Sequence, residues 1–118
     1  MFVTGIKCKP GTFKKDTIEY LEKNKKYLLR KIIINKISST GEIQNPNGMI
    51  ASVKVNQTIL LNKVMTDFFT SDKSPILNAI IDGGSSVTLE VEKYPGATLD
   101  PDDECQLTLV FGDINETK

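Results

Sequence analysis

"NKKYLLRKIIINKIS", residues 24–38, sets seven apolar or aromatic side chains among basic ones. A cationic helix and a strand of a sandwich are the two readings, and the choice decides the fold. A helix starting at Asp16 has a capping box in Asp16 and Glu19. It would carry Ile18, Leu21, Leu28, Leu29 and Ile32. The stripe breaks at Asn24 and Lys25, which are polar. The run Ile32, Ile33 and Ile34 is β-branched and favours an extended chain. The stretch from Tyr27 to Ile37 therefore reads as one long strand, buried on much of both faces. "TIEYLE" reads as a shorter extended segment with Ile18 and Tyr20 covered, and Lys23 to Lys26 as a basic turn.

The rest of the chain agrees with strand. In "SVTLEVEKY", Val87, Leu89 and Val91 alternate with Thr88, Glu90 and Glu92, so the first set faces a core. "CQLTLVF" repeats the pattern with Leu107, Leu109 and Phe111. "GMIASVKV" repeats it with Ala51, Val53 and Val55, and Asn56-Gln57 connects it to "TILLNKV" as a hairpin. Turn chemistry separates the runs at "NPNG", "DGG", "YPG" and "DPDD". Val64, Met65, Phe68 and Phe69 have helical spacing, which predicts a turn or two of helix before an extended segment beginning at Pro75. The reading is all-β: one antiparallel β-sandwich domain over 1–118, jelly-roll-like, with at most one or two short helices.

With 118 residues, a core can form without metal or disulfides. No apolar run reaches the ~20 residues of a membrane span, and "MFVTGIKCKPGTF" does not read as a secretory signal. Cys8 and Cys105 lie near opposite ends, so they can pair only if the terminal segments run side by side. The zero net charge divides unevenly. Residues 1–40 hold ten basic and three acidic side chains, 10 − 3 = +7; residues 41–118 hold five and twelve, 5 − 12 = −7. Such segregation makes either opposed patches or, if the two halves interleave, a mixed surface.

Catalytic motifs are missing from the sequence. There is no His, no serine elbow and no phosphate-binding glycine loop, so the chain reads as not an enzyme and as needing no cofactor. Asp100 to Glu104, "DPDDE", offers hard oxygen ligands of the kind calcium takes, but without EF-hand spacing it reads as a solvated turn. Lys23, Lys25, Lys26, Arg30 and Lys31 suit a sequence-independent, salt-sensitive contact with a polyanion such as nucleic acid. The triplets at 56–58 and 115–117 fit a glycosylation pattern, but without a secretion signal chance occurrence is the better account.

The order of elements resembles that of small jelly-roll structural proteins of tailless icosahedral phage virions. "NKKYLLRKIIINKI" resembles their entry strand, in which a loop leads into an apolar-basic strand, "MIASVKVNQTILLNKV" the following hairpin, "PILNAIIDGGSSVTLEVEKY" a loop, glycine turn and alternating strand, and "ECQLTLVFGDI" the closing strand. The resemblance implies a structural protein that self-associates or joins other virion proteins as a capsid, penton or decoration component, located in the virion. Its assembly surface is expected on Phe2, Val3, Phe68 and Phe69. The alternative is a carbohydrate- or ligand-binding sandwich module using Tyr94 beside Asp100 to Glu104.

Overall fold

The computed structural model describes residues 2–18 and 21–112, with side chains from Gly5 onward. It contains β1 (Phe2–Cys8), β2 (Thr12–Thr17), β3 (Lys26–Ile37), β4 (Ile43–Gln44), β5 (Met49–Val55), β6 (Thr58–Met65), a 3-10 turn (Thr66–Phe69), β7 (Ala79–Asp82), β8 (Ser86–Lys93) and β9 (Glu104–Gly112). The strand reading of residues 24–38 holds: β3 begins at Lys26. No helix starts at Asp16, because Asp16 and Thr17 pair with Val87 and Ser86 of β8. Ile18 is buried as expected, while Tyr20 lies outside the described residues.

Two antiparallel sheets face each other. One runs β1-β9-β3, and β3 then pairs with β7 through its first residues and with β4 through its last two. The other runs β2-β8-β5-β6. The topology follows one rule. The first strand pairs with the last, β2 with β8, β3 with β7, and β5 with β6. The chain is thus a long hairpin, bent at Asn56-Gln57 and rolled up so that consecutive pairs fall in alternate sheets. With the two-residue β4 set aside, this is the jelly-roll arrangement.

Sequence explains the packing. Val87, Leu89 and Val91 of β8 have no exposed surface, and neither do Leu107 and Leu109 of β9; Ala51 and Val53 of β5 are equally covered. These period-two sets meet Ile32 and Ile34 of β3 in a shared core. β3 departs from strict alternation because Leu28 and Leu29 are both buried. The register against β9 shifts between Leu29 and Lys31, which makes Arg30 the extra residue and sets Leu29 on the same core face as Ile32; Leu28 is buried outside that core cluster. At ~3.3 Å per residue the 12 residues of β3 span ~40 Å, close to the molecule's 43 Å long axis.

The bend at the middle of the roll is built locally. Asn56 takes φ 51°, a region asparagine tolerates better than most residues. Its side-chain amide donates to Ser85 Oγ at 3.1 Å, and its oxygen accepts from Ser86 N at 3.0 Å. One residue therefore joins the β5–β6 tip to the start of β8. The helical spacing near Phe68 yields only one 3-10 turn, held when the Thr66 hydroxyl donates to the Pro46 carbonyl.

Candidate assembly surface

Rolling decides what becomes of the divided charge. Because the first half lies antiparallel against the second, Lys9 pairs with Asp102 at 3.5 Å, Lys26 with Asp82 at 2.9 Å, and Lys36 with Asp103 at 4.0 Å. All three join a basic residue of 1–40 to an acid of 41–118. The halves mix their charges across the pairing instead of presenting opposed patches. The first two pairs are exposed and contribute only about 0–1 kcal/mol each, whereas Lys36 and Asp103 are largely covered.

The basic set is tied down by the same contacts. Lys25 Nζ lies 2.8 Å from Glu22, Lys26 holds Asp82, and Arg30 donates to Asn78 Oδ1 at 3.3 Å. Lys23 lays its alkyl chain beside Gly84, and Lys31 is half-buried on β3. Lys23, Lys25 and Lys26 remain exposed, and Arg30, like Lys31, is half-buried.

The acidic turn is committed as well. Asp103, which is buried, accepts from Asp100 N, and Asp100 accepts from Asp102 N. The carboxylates thus stitch the turn into β9, and among the described residues no three His, Cys, Asp or Glu side chains gather around a metal position. A groove of about 290 Å³ beside this turn is lined by Pro10, Gly11, Glu92, Lys93, Leu99, Asp100 and Pro101. Tyr94 is exposed but is not among its walls, so the ring offers that groove no stacking platform.

The expected apolar surface is partly corrected. Phe68 is 60% exposed. Phe69, expected beside it at the surface, is buried in the core because the 3-10 turn directs it between the sheets. The side chains of Phe2 and Val3 lie outside the described residues. Sequence reasoning missed a larger set. Phe13 on β2, Ile43 on β4, Ile59 on β6 and Ile80 on β7 are 69%, 66%, 59% and 56% exposed. Each stands on a strand at the margin of its sheet. The signal was present in Ile59, which breaks the alternation of "TILLNKV", but marginal position is a tertiary property.

The margins are not equivalent. β2 carries Lys14 and Lys15, and charged edge strands resist pairing with other chains. At the opposite side, β6 and β7 flank a groove of about 340 Å³ lined by Val55, Leu60, Ala79, Ile80 and Ile81 with a few polar groups. Ile59 borders a second groove, of about 200 Å³, on the outer face of the β2-β8-β5-β6 sheet. Ile59 and Ile80 thus add exposed apolar surface at this margin, as Phe13 does at the other.

The two thiols lie at the other margin, buried where β1 meets β9. Burial pushes Cys105 from its ordinary 9.0 up to about 12, and the Cys8 thiol beside it adds to the shift. Burial also raises Cys8, partly offset by its contact with Thr12. A raised thiol pKa favours folding while both states are protonated, so this contribution is full below pH 9. It is lost as pH rises from 9 towards 12. Urea midpoints over that window are expected to fall less steeply for Cys105→Ala than for the unaltered chain. Equal slopes would show that Cys105 ionises as freely folded as unfolded.

Among the described residues no helix is long and apolar enough to cross a membrane. Searches against protein-family models and curated proteins returned no match to this chain.

Proposed function

We propose that this chain is a non-enzymatic structural protein that associates with copies of itself or with partner proteins through the open margin of its sandwich. The observation that carries the reading is the placing of Ile59 and Ile80, each more than half exposed, on β6 and β7, marginal strands of the two different sheets that together line one groove. Burying such side chains yields roughly 25 cal/mol per Å² of apolar area, and an isolated edge strand also offers unpaired backbone groups. Resemblance of the element order to small jelly-roll virion proteins makes a capsid, penton or decoration component the favoured setting, with other virion proteins as the partners. No membrane span is involved in this reading.

The test is sedimentation over a concentration series at low and high salt, with Ile59→Glu/Ile80→Glu as the variant. Contacts between apolar side chains resist salt, whereas contacts between exposed charges weaken as the Debye length shrinks. The expected result is an oligomer that persists at high salt and is lost in the variant. Both residues are solvent-facing, so the variant's thermal midpoint should stay within about 2 °C of the parent. A chain that is monomeric at every concentration and absent from purified particles of its source would defeat the proposal.

A further inference from the structure

We propose that Cys8 and Cys105 form a reversible disulfide that clasps the marginal strand β1 to β9. The pairing stands apart from the assembly reading and rests on register. Cys8 and Cys105 are direct partners in the antiparallel β1–β9 ladder. Directly opposed residues of such a ladder have Cα atoms about 4.5–5.5 Å apart and side chains on one face. That separation falls inside the span of roughly 4.4–6.8 Å that a disulfide bridges. Both side chains are on the core face: Cys8 is 7% exposed and Cys105 fully covered. These are the chain's two cysteines, so neither has a competing partner within the chain.

Little holds the sulfurs in the thiol state. Cys8 Sγ lies 3.8 Å from the carbonyls of Thr12 and Leu89, which are long contacts for a weak donor. Access is asymmetric. β1 has β9 as its ladder partner on one side alone, and their register shifts between Val3 and Ile6. Opening of the margin therefore reaches Cys8 first, while Cys105 sits on a strand paired on both sides.

The oxidant is a low-molecular-weight disulfide such as oxidised glutathione. The Cys8 thiolate attacks one of its sulfurs, forming a mixed disulfide and releasing one small thiolate. Cys105, deprotonated in turn, attacks Cys8 Sγ and displaces the second. The two cysteine protons end on the two released thiols, and two electrons have passed from the protein to the small disulfide. Burial that pushes Cys105 up to about 12 makes the second step slow in the folded state, so closure accompanies opening of β1. Closing residues 8 to 105 encloses nearly the whole chain, and restraint of the unfolded state is greatest for long loops.

The experiment equilibrates the fully reduced chain in buffers of graded oxidised-to-reduced glutathione. Samples are quenched with acid, unfolded, treated with a maleimide-polymer reagent and weighed by mass spectrometry. Both thiols are expected to become protected together, with a chain mass lower by two hydrogens and no dimer on a non-reducing gel. The oxidised form should melt on the order of 10 °C higher than the reduced form. Cys8→Ser and Cys105→Ala should show no such rise and should take up at most one glutathione; if Cys105→Ala does not fold, Cys8→Ser carries the comparison. Two thiols that stay open to the reagent at every ratio, a product that stops at the glutathione adduct, or disulfides between chains would each overturn the proposal.

Discussion

Replacing Gly83 with alanine is expected to destabilise the protein by about 3 kcal/mol, lowering the thermal midpoint by roughly 10–15 °C. A Cβ at this position would lie 1.7 Å from the carbonyl oxygen of Glu22 and 2.5 Å from its carbon. Both atoms belong to backbone, so no side chain can swing aside. Gly83 N also donates to the Lys25 carbonyl at 2.8 Å, which fixes the β7–β8 turn against the turn that leads into β3. Moving either turn to relieve the contact would pull at the pairing of Lys26 with Asp82 and of Tyr27 with Ile81. Gly96→Ala is the control. Its φ is +85°, yet nothing lies within 4 Å of the added carbon, so only the backbone strain of about 1–2 kcal/mol remains. Thermal melts of the two variants distinguish crowding from conformation. Equal losses would mean that the turns separate at little cost.

Leu109→Ala is expected to cost about 3–4 kcal/mol, read as a lower urea midpoint with unchanged slope. Leu109 is fully buried in β9 and stands opposite Val3 on one side and Ile32 on the other. The strand is hydrogen-bonded along both margins, which hinders collapse of the surroundings into the vacated volume. A domain of this size is stable by roughly 5–15 kcal/mol, so the variant would lose a large fraction of the total. Ile43→Ala, on a side chain that is 66% exposed, should change stability by about 0.5 kcal/mol or less. A loss below about 1 kcal/mol for Leu109→Ala would place that side chain outside the packed interior.

How much was legible in the sequence depends on whether a strand has a face to bury. β8 and β9 were readable because each lies between two neighbours and covers one layer of the core, so Val87, Leu89 and Val91, and Leu107 and Leu109, obey a period of two. β3 was readable from its β-branched run, but the irregularity at Arg30 that puts Leu29 on the same face as Ile32 has no local signature. β2 was missed. Its "TFKKDT" is almost wholly exposed, and it is a strand because β8 pairs with it, not because of any pattern of its own. The surface suffered for the same reason. Phe68 and Phe69 look alike in sequence, and only the 3-10 turn separates one for solvent and one for the core. Phe13, Ile43, Ile59 and Ile80 became notable only when strand order put them on margins. The proximity of Cys8 and Cys105 likewise depends on the first strand meeting the last.

That meeting has a consequence for synthesis. While the polypeptide is still being made, β1 and β3 are left without the strand that belongs between them, because β9 follows every other described strand in the chain. Until then the β2-β8-β5-β6 layer has only part of an opposing layer to pack on. The nascent chain must therefore keep Ile32 and Ile34 from neighbouring polypeptides until β9 has been made, and a stop codon ahead of Glu104 would yield a product destined for proteolysis and not a weaker version of the whole.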